Sequence, residues 1–229
     1  MSFPESSVYF GVVLTLFTYG IGCFLKKKTR CALVNPAVVS IVLVILVLLI
    51  SGTSFEVYNE SAKYITYFLT PATVSLALPL YERLSVLKRY RKAIPAGILS
   101  GVISAMGSVW AICKVWGLSH EEYVTLLPKS VTSAIGIGIS EDLGGIPALT
   151  VAVITLTGML GGTLAPMLCR LFRLTDPVAV GVAIGTSSHG LGTAKAMEIG
   201  ETEGAVSSLS LTVCGLLTVI AAPLCAGLL

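Results

Sequence analysis

The sequence contains very little charge. Only 12% of its 229 residues are Asp, Glu, Lys or Arg, whereas 55% are hydrophobic. Soluble domains carry about 25% charged residues, because polar groups must cover a surface that faces water. So little charge excludes a water-soluble domain and predicts an integral membrane protein. The apolar runs are too long for the alternating strands of an outer-membrane barrel, which indicates an all-α polytopic fold.

The sequence also lacks the motifs of common enzymes and metal sites. It has no phosphate loop, zinc signature or nucleophile elbow, and "GLGTAK" at 190–195 lacks the spacing of a phosphate loop. Its six cysteines form no C-x-x-C pair and lie mostly in apolar runs. We therefore expect no enzyme activity, cofactor or metal. Nucleic-acid binding is also not expected, because the basic clusters flank the apolar runs.

The few charges that are present alternate along the chain. Lysines and arginines follow the apolar runs 8–25 and 62–80, whereas the loops after 34–51 and 93–116 are acidic or mixed. Because basic loops stay in the cytoplasm, this pattern predicts that the N-terminus lies outside and that both basic loops lie in the cytoplasm. The acidic start "MSFPESS" followed by "KKKTR" has the reverse charge order of a signal peptide, so the first run is predicted to be a retained span.

A short polar interruption follows the fourth run. The segment 124–140 contains Pro128, Lys129 and five Ser or Thr residues, and the run 146–168 after it is followed by two arginines. If 124–140 crossed the membrane, those arginines would lie outside, against the distribution of basic residues. The charge pattern therefore favours a re-entrant or broken helix over 124–145.

A second interruption, "IGTSSHGLGTAKAMEIGETEG" at 184–204, precedes a final span at 205–229. A shift of 60 residues aligns 128–149 with 188–209, gives five identities in 22 positions and places Lys129 on His189. Low-complexity membrane sequence also produces such matches by chance. If the match is a true repeat, the two hairpins enter from opposite sides and their tips meet near the bilayer midplane, as in many secondary transporters.

The predicted architecture is thus about six transmembrane helices plus two re-entrant hairpins related by an inverted repeat. We expect one membrane domain over 1–229, with four N-terminal spans in 1–123, a hairpin and span in 124–172, and a second hairpin and span in 173–229.

Lys129 and His189 are the main candidates for chemistry. A lysine inside an apolar segment costs about 2.5–3.5 kcal/mol on insertion scales, so it usually faces a cavity or a partner. Lys129 would either bind an anion or act as a structural cation paired with Glu141 or Asp142. His189 would either handle substrate and protons, since imidazole titrates near physiological pH, or be a hydrogen-bonded core group.

Hydroxyl and glycine residues around these two positions complete the candidate site. The predicted substrate-binding residues are Lys129, Ser130, Thr132, Ser188, His189, Gly190, Gly192 and Thr193. The predicted cavity-lining or hinge residues are Asn35, Pro71, Pro128, Gly144, Gly145 and Glu198, the last also being the best acid to pair with Lys195.

Four segments resemble the LrgB/CidB family of bacterial inner-membrane proteins: "NP" at 35–36, "TPATVSLALPLYERL" at 70–84, "LPKSVTSAIGIGISEDLGGIPALT" at 127–150 and "GTSSHGLGTAKAMEIGETEGAVSSL" at 185–209. Two details depart from the family pattern. "TSAIG" lacks the proline that usually follows the second threonine. "TAKAME" has lysine where arginine is common, which keeps the charge and loses a bidentate fork.

The resemblance implies two functions. The family was described as antiholin-like, acting with a small LrgA/CidA-type membrane partner on murein hydrolase activity and cell lysis. Plastid relatives carry glycolate and glycerate, and bacterial members have been linked to pyruvate uptake. The residues favour a carrier of small monocarboxylates, because a holin-type pore needs no lysine and histidine in matched broken hairpins. We expect proton coupling, membrane lipid around the spans, the small partner and a homo-oligomer.

Overall fold

A computed structural model of the chain describes residues 9–29, 36–68, 71, 74–75 and 77–229. The described residues are helical and contain no β-strand. They divide into two compact units, Met1–Leu76 and Ala77–Leu229. The helices of the first unit are α1 (Phe10–Thr29), α2 (Pro36–Ser51) and α3 (Phe55–Thr66). Those of the second are α4 (Ala77–Glu82), α5 (Leu84–Arg89), α6 (Ala93–Trp116), α7 (His120–Leu126), α8 (Ser133–Asp142), α9 (Pro147–Leu171), α10 (Pro177–Ile199) and α11 (Glu201–Ala226).

Four of these helices, α1, α6, α9 and α11, are long and apolar enough to cross a membrane, and α2 is a shorter apolar helix. The all-α polytopic class predicted from the sequence is therefore confirmed. The predicted third span, 62–80, lies partly outside the described residues. The prediction of one domain over the whole chain remains a prediction.

In the first unit, hydroxyl pairs join α1 to its two neighbours. Thr18 Oγ1 lies 2.8 Å from Ser40 Oγ on α2, and Thr15 Oγ1 lies 2.7 Å from the Tyr58 hydroxyl on α3. The sequence had indicated a polar loop over 52–64, and this was wrong for α3. Ser54 caps the helix by accepting a bond from Val57 N at 3.5 Å. The polar residues of α3 thus belong to a helix, and its Tyr58 hydroxyl faces α1.

Hairpin 1, residues 120–145, is a re-entrant segment. It consists of α7, a non-helical tip at 127–132 and α8. Beyond α8, the Ile146 N–H donates to Thr125 Oγ1 at 2.8 Å, and Thr150 Oγ1 donates to the Thr125 carbonyl at 3.0 Å. After the tip, the chain therefore comes back beside Thr125, on the side from which hairpin 1 entered, as the charge pattern predicted.

The fully buried hydroxyl of Thr150 stabilises the base of hairpin 1. It bonds the Thr125 carbonyl, and Thr150 Oγ1 lies 2.8 Å from Ser140 Oγ. We expect Thr150→Val to lower the free energy of unfolding by about 1–3 kcal/mol, since the carbonyl would lose a buried partner. Thermal unfolding in detergent measures the change. The surface variant Thr212→Val, whose hydroxyl bonds only its own helix, is the control. Equal melting temperatures for both variants would contradict this assignment.

Hairpin 2, residues 177–200, is formed by α10, which breaks sharply at His189 (φ 39°, ψ −136°). Its two arms contact the same turn of α11. A Cβ on Gly181, in the first arm, would lie 2.8 Å from Val206, and a Cβ on Gly204 would lie 2.7 Å from Met197 in the second arm. The arms are therefore antiparallel, and hairpin 2 is also re-entrant.

The two hairpins open at opposite ends of the second unit. One end, here called the basic end, comprises residues 83–92 and 170–176. Hairpin 2 starts and finishes there, because Leu174 and Asp176 line a cavity with Tyr90, and Arg83 pairs with Glu201. Hairpin 1 starts at the other end, where the Tyr123 hydroxyl donates to the Cys225 carbonyl at 2.9 Å. Which end faces the cytoplasm remains a prediction.

Helix capping fixes the start of hairpin 1. The Ser119 backbone N–H donates to the exposed Glu122 carboxylate at 2.8 Å, and the Ser119 hydroxyl lies 2.9 Å from the same oxygen. These two bonds, the backbone bond first, lower the pKa of Glu122 below its usual value. The carboxylate completes a capping box on α7 and keeps the loop from 117 to 119 tied to the helix.

Equivalent contacts recur in the two hairpins. Thr125 of hairpin 1 bonds Thr150 of α9, and a Cβ on Gly185 of hairpin 2 would lie 2.8 Å from Ser210 Cβ of α11. Both members of the second pair lie 60 residues after those of the first. The shift that aligned the sequences therefore also relates contacts in space, and it relates hairpins of opposite direction, which supports the inverted repeat.

Candidate functional site at the hairpin tips

The tip of hairpin 2 lies against the middle of α9. His189 Nε2 donates to the Ile154 carbonyl at 2.8 Å, because a carbonyl oxygen can only accept. Its ring is 6% exposed and occupies the space left by Gly158, where a Cβ would lie 2.5 Å from Nε2. Since α9 spans 147–171, a contact at 154–158 places His189 well inside the helix length rather than in a surface loop.

The tip of hairpin 1 approaches the middle of α11. Pro128 is buried, and the half-buried Lys129 donates from Nζ to Ser130 Oγ at 3.1 Å. Just behind the tip, in the first turn of α8, Ile135 lies against α11, where a Cβ on Gly215 would lie 2.9 Å from its side chain. The shift of 60 residues that takes Lys129 to His189 also takes Ile154 of α9 to Cys214 of α11. Each tip thus contacts the long helix of the other repeat.

Cys214 connects the two hairpins. Its thiol donates to the Thr186 carbonyl of hairpin 2, with sulfur and oxygen 3.8 Å apart, and it is 1% exposed. On the next residue, a Cβ on Gly215 would lie 2.9 Å from Ile135 of hairpin 1. Because these contacts fall near the centre of α11 (201–226), both hairpin tips converge at mid-height of the second unit.

The tip of hairpin 1 is electropositive. In the part of the chain that the structure describes, no carboxylate pairs with Lys129, and Glu141 and Asp142 are exposed at the far end of α8. This disfavours the structural cation pair considered from the sequence. The N-cap residue of α8, Thr132, makes no side-chain cap bond, so the first N–H groups of α8 remain for another acceptor. An ammonium and a helix N-terminus together favour an anion.

The second arm of hairpin 2 also begins at its tip. A Cβ on Gly190 would meet no atom within 4 Å among the described residues, so there is open space beside the start of this arm. The backbone at His189 has a positive φ of 39° with ψ −136°, a sparsely populated conformation that costs about 1–3 kcal/mol for a residue other than glycine. The buried ring and its bond to Ile154 hold this unfavourable conformation in place.

Two of the predicted binding hydroxyls lie inside hairpin 2 rather than at its surface. Thr193 is fully buried, donates to the His189 carbonyl at 2.9 Å and lies 2.9 Å from Ser207 Oγ. Ser188 Oγ lies 3.0 Å from Ser187 Oγ and is also buried. Thr193 therefore fastens the second arm to α11, whereas Thr132 and Ser130 lie at the tip of hairpin 1.

The predicted hinge residues occupy other places. Gly144, with φ 78°, and Gly145 form the turn between α8 and α9 at the base of hairpin 1. Glu198 is exposed and pairs with Lys195 at 2.7 Å, which confirms the predicted ion pair. Pro71 is exposed in the first unit. Asn35 lies outside the described residues.

Sequence reasoning missed the residues that support the tips from the long helices. These are Ile154 and Gly158 of α9 and Cys214 of α11, and Cys214 bonds the Thr186 carbonyl of hairpin 2. Cys214 was interpreted as an ordinary core cysteine. Extending the 60-residue shift beyond the hairpins would have found it, because the shift takes position 154 to position 214.

These features define a polytopic α-helical membrane protein with two opposed re-entrant hairpins in an inverted repeat. The LrgB-like family model matches residues 15–228, and the chain belongs to this family. It is 38% identical to the "Antiholin-like protein LrgB" of Bacillus mycoides strain KBAB4 over 217 residues, 94% of each chain, and to those of Bacillus cereus strain B4264 and Bacillus anthracis strain CDC 684 with the same identity and coverage. No solved structure matches the chain.

Proposed function

We propose that this protein is a secondary carrier of small monocarboxylates such as pyruvate, glycolate or glycerate. The observation that carries the proposal is the position of Lys129. It lies half-buried at a hairpin tip, beside the uncapped N-terminus of α8, with no carboxylate partner in the described part of the chain. A cation in a membrane interior that lacks an internal counter-ion is suited to a bound anion.

The substrate anion would lie between the two tips. The Lys129 ammonium would balance its charge, and the N–H groups at the start of α8 would bond its carboxylate oxygens. Ser130 and Thr132, at the tip of hairpin 1, would supply hydroxyls, and the open space at Gly190 would let the backbone approach the anion closely. Ser188 and Gly192 pack against each other inside hairpin 2, so they would shape the tip that presents Gly190. His189 already donates from Nε2 to Ile154, so proton exchange would use Nδ1.

Uptake by purified protein in liposomes tests the proposal. We expect saturable accumulation of radiolabelled pyruvate that unlabelled glycolate inhibits, and faster uptake when the outside is acidified. An encapsulated neutral dye should stay inside, since a carrier opens no continuous pore. Unsaturable pyruvate entry accompanied by dye leakage would indicate a pore and overturn the proposal.

The antiholin-like relatives favour a second candidate. In it, as the family resemblance implies, the protein regulates murein hydrolase activity and cell lysis without carrier activity. This function requires no anion at the hairpin tips. Liposomes that contain the protein, accumulate no monocarboxylate and leak no dye would favour it. For either function we propose an inner-membrane location with the N-terminus outside, a small LrgA/CidA-type partner and a homo-oligomer.

A further inference from the structure

A groove runs from the basic end along α6 and the first arm of hairpin 2. It has a volume of about 430 Å³, and its mouth is formed by Tyr90, Ala93, Leu174 and Asp176. It ends near Thr186, which packs against Gly101 of α6 three residues before the tip of hairpin 2. The groove is therefore a long, shallow depression that starts among charged residues and continues to mid-height of the unit.

The wall of the groove is mostly apolar and contains three hydroxyls, those of Ser100, Ser104 and Thr186, of which two are already bonded within their own helices. The Ser100 hydroxyl donates to the Gly97 carbonyl at 2.8 Å, and the Thr186 hydroxyl donates to the Val182 carbonyl at 2.8 Å. Both hydroxyl protons are thus used within their own helices. A carboxylate moving along this wall would find few free donors, whereas a hydrocarbon chain would lose nothing by contact with it.

Exposed cations adjoin, in sequence, the residues that form the mouth on both of its walls. The Arg89 guanidinium lies over the Tyr90 ring, 5.9 Å from its centroid, and the exposed Lys92 precedes Ala93. On the opposite wall the exposed Arg173 precedes Leu174. The single acid at the mouth, Asp176, is engaged as the cap of α10, where it accepts bonds from two backbone N–H groups at 2.8 and 3.0 Å.

Arg173 occupies a backbone position that suits glycine. Its φ is 54°, and it follows the end of α9, where the Leu174 N–H returns to the Cys169 carbonyl at 2.8 Å. Glycine is the usual residue at such a helix end, because other residues are strained there. Arg173 therefore places a positive charge near the mouth although its backbone conformation is less stable than it would be for glycine.

We propose that this groove binds an anionic phospholipid, with the phosphate among Arg89, Lys92 and Arg173 and one acyl chain along α6 and α10. The chemistry of the mouth matches a phosphate, and the apolar wall matches hydrocarbon. The membrane supplies the ligand, so the site is independent of what the hairpin tips transport. Lipid in the groove would contact Thr186, whose carbonyl accepts the Cys214 thiol bond beside the tip site.

Native mass spectrometry of the full-length protein in detergent, titrated with phosphatidylglycerol or phosphatidylcholine of the same chain length, tests this proposal. We expect tighter retention of phosphatidylglycerol. Each cation near a surface is worth about 1 kcal/mol toward an anionic lipid, so Arg173→Gly and Lys92→Gln should each weaken it about fivefold. Lys114→Gln, at the other end of α6, is the matched control and should leave binding unchanged.

Two further variants separate lipid binding from a folding defect or from free phosphate. Arg173→Gly relieves the backbone, so its melting temperature without added lipid should equal or exceed that of the wild type. Ser104→Leu fills the groove from its exposed side and should weaken the diacyl lipid but not soluble glycerol phosphate. Equal retention of both lipids, or displacement of the lipid by glycerol phosphate at similar concentration, would overturn the proposal.

Discussion

Replacing Lys129 by methionine is expected to weaken saturable uptake of small monocarboxylates strongly while leaving the protein folded. The substitution keeps the length of the side chain and removes the charge that would balance the anion. Hydrogen bonds to charged groups contribute about 1.5–3 kcal/mol, so the apparent affinity should fall about 10- to 100-fold or more. The melting temperature should hold or rise, because a buried ammonium opposes membrane insertion. Concentration-dependent pyruvate uptake into liposomes measures the effect.

Lys195→Met and Lys114→Met are the matched controls. Lys195 already pairs with Glu198, and Lys114 stacks on Trp110, with Nζ 4.8 Å from the ring centroid. Neither lies at a hairpin tip, so both variants should transport at the wild-type rate. Lys129→Arg should keep part of the uptake, since it keeps the charge with a bulkier head. Wild-type uptake by Lys129→Met would exclude this lysine from substrate binding.

Gly158→Ala is expected to destabilise the tip of hairpin 2. The new Cβ would overlap the His189 ring, which is buried and held by the Ile154 carbonyl. Adding a methyl group to a packed interior costs about 1–3 kcal/mol. A domain of 150–250 residues loses about 2–4 °C of melting temperature per kcal/mol. Thermal unfolding in detergent and pyruvate uptake should both decline.

Gly107→Ala provides the control for the same chemical change. Gly107 lies in α6, and a Cβ there meets no atom within 4 Å among the described residues. Alanine is the better helix former, so this variant should be neutral or slightly stabilising. If Gly158→Ala were as stable and active as Gly107→Ala, the His189 ring would not occupy the position described for it.

The sequence predicted the re-entrant hairpins because the distribution of charge restricts topology strongly. Arg170 and Arg173 required the chain to return at 124–145, and the structure shows that return at Thr125 and Ile146. The 60-residue shift placed Lys129 on His189, and both lie at hairpin tips near mid-height. Charges and repeats are long-range signals, and a single sequence contains them.

Other features depend on contacts that a single sequence does not display. Gly144 and Gly145 were predicted as hinge or cavity residues, and they form the turn between α8 and α9. A pair of glycines indicates that the backbone can adopt unusual conformations, but it does not indicate where in the fold the pair lies. The polar segment around Tyr58 was predicted as a loop, although its hydroxyls face α1. Cys214 was assigned to the apolar core, since nothing in its flanking residues indicates that it lies where both hairpins contact α11.

The central claim is that a small carboxylate anion binds at the two hairpin tips. Equilibrium binding of radiolabelled pyruvate to the purified protein, measured by scintillation proximity, tests it without requiring transport. The account predicts saturable binding that glycolate displaces, that the uncharged methyl ester of pyruvate does not displace, and that Lys129→Met strongly weakens. Absence of saturable binding by the folded wild-type protein, or equal binding by the Lys129→Met variant, would contradict it.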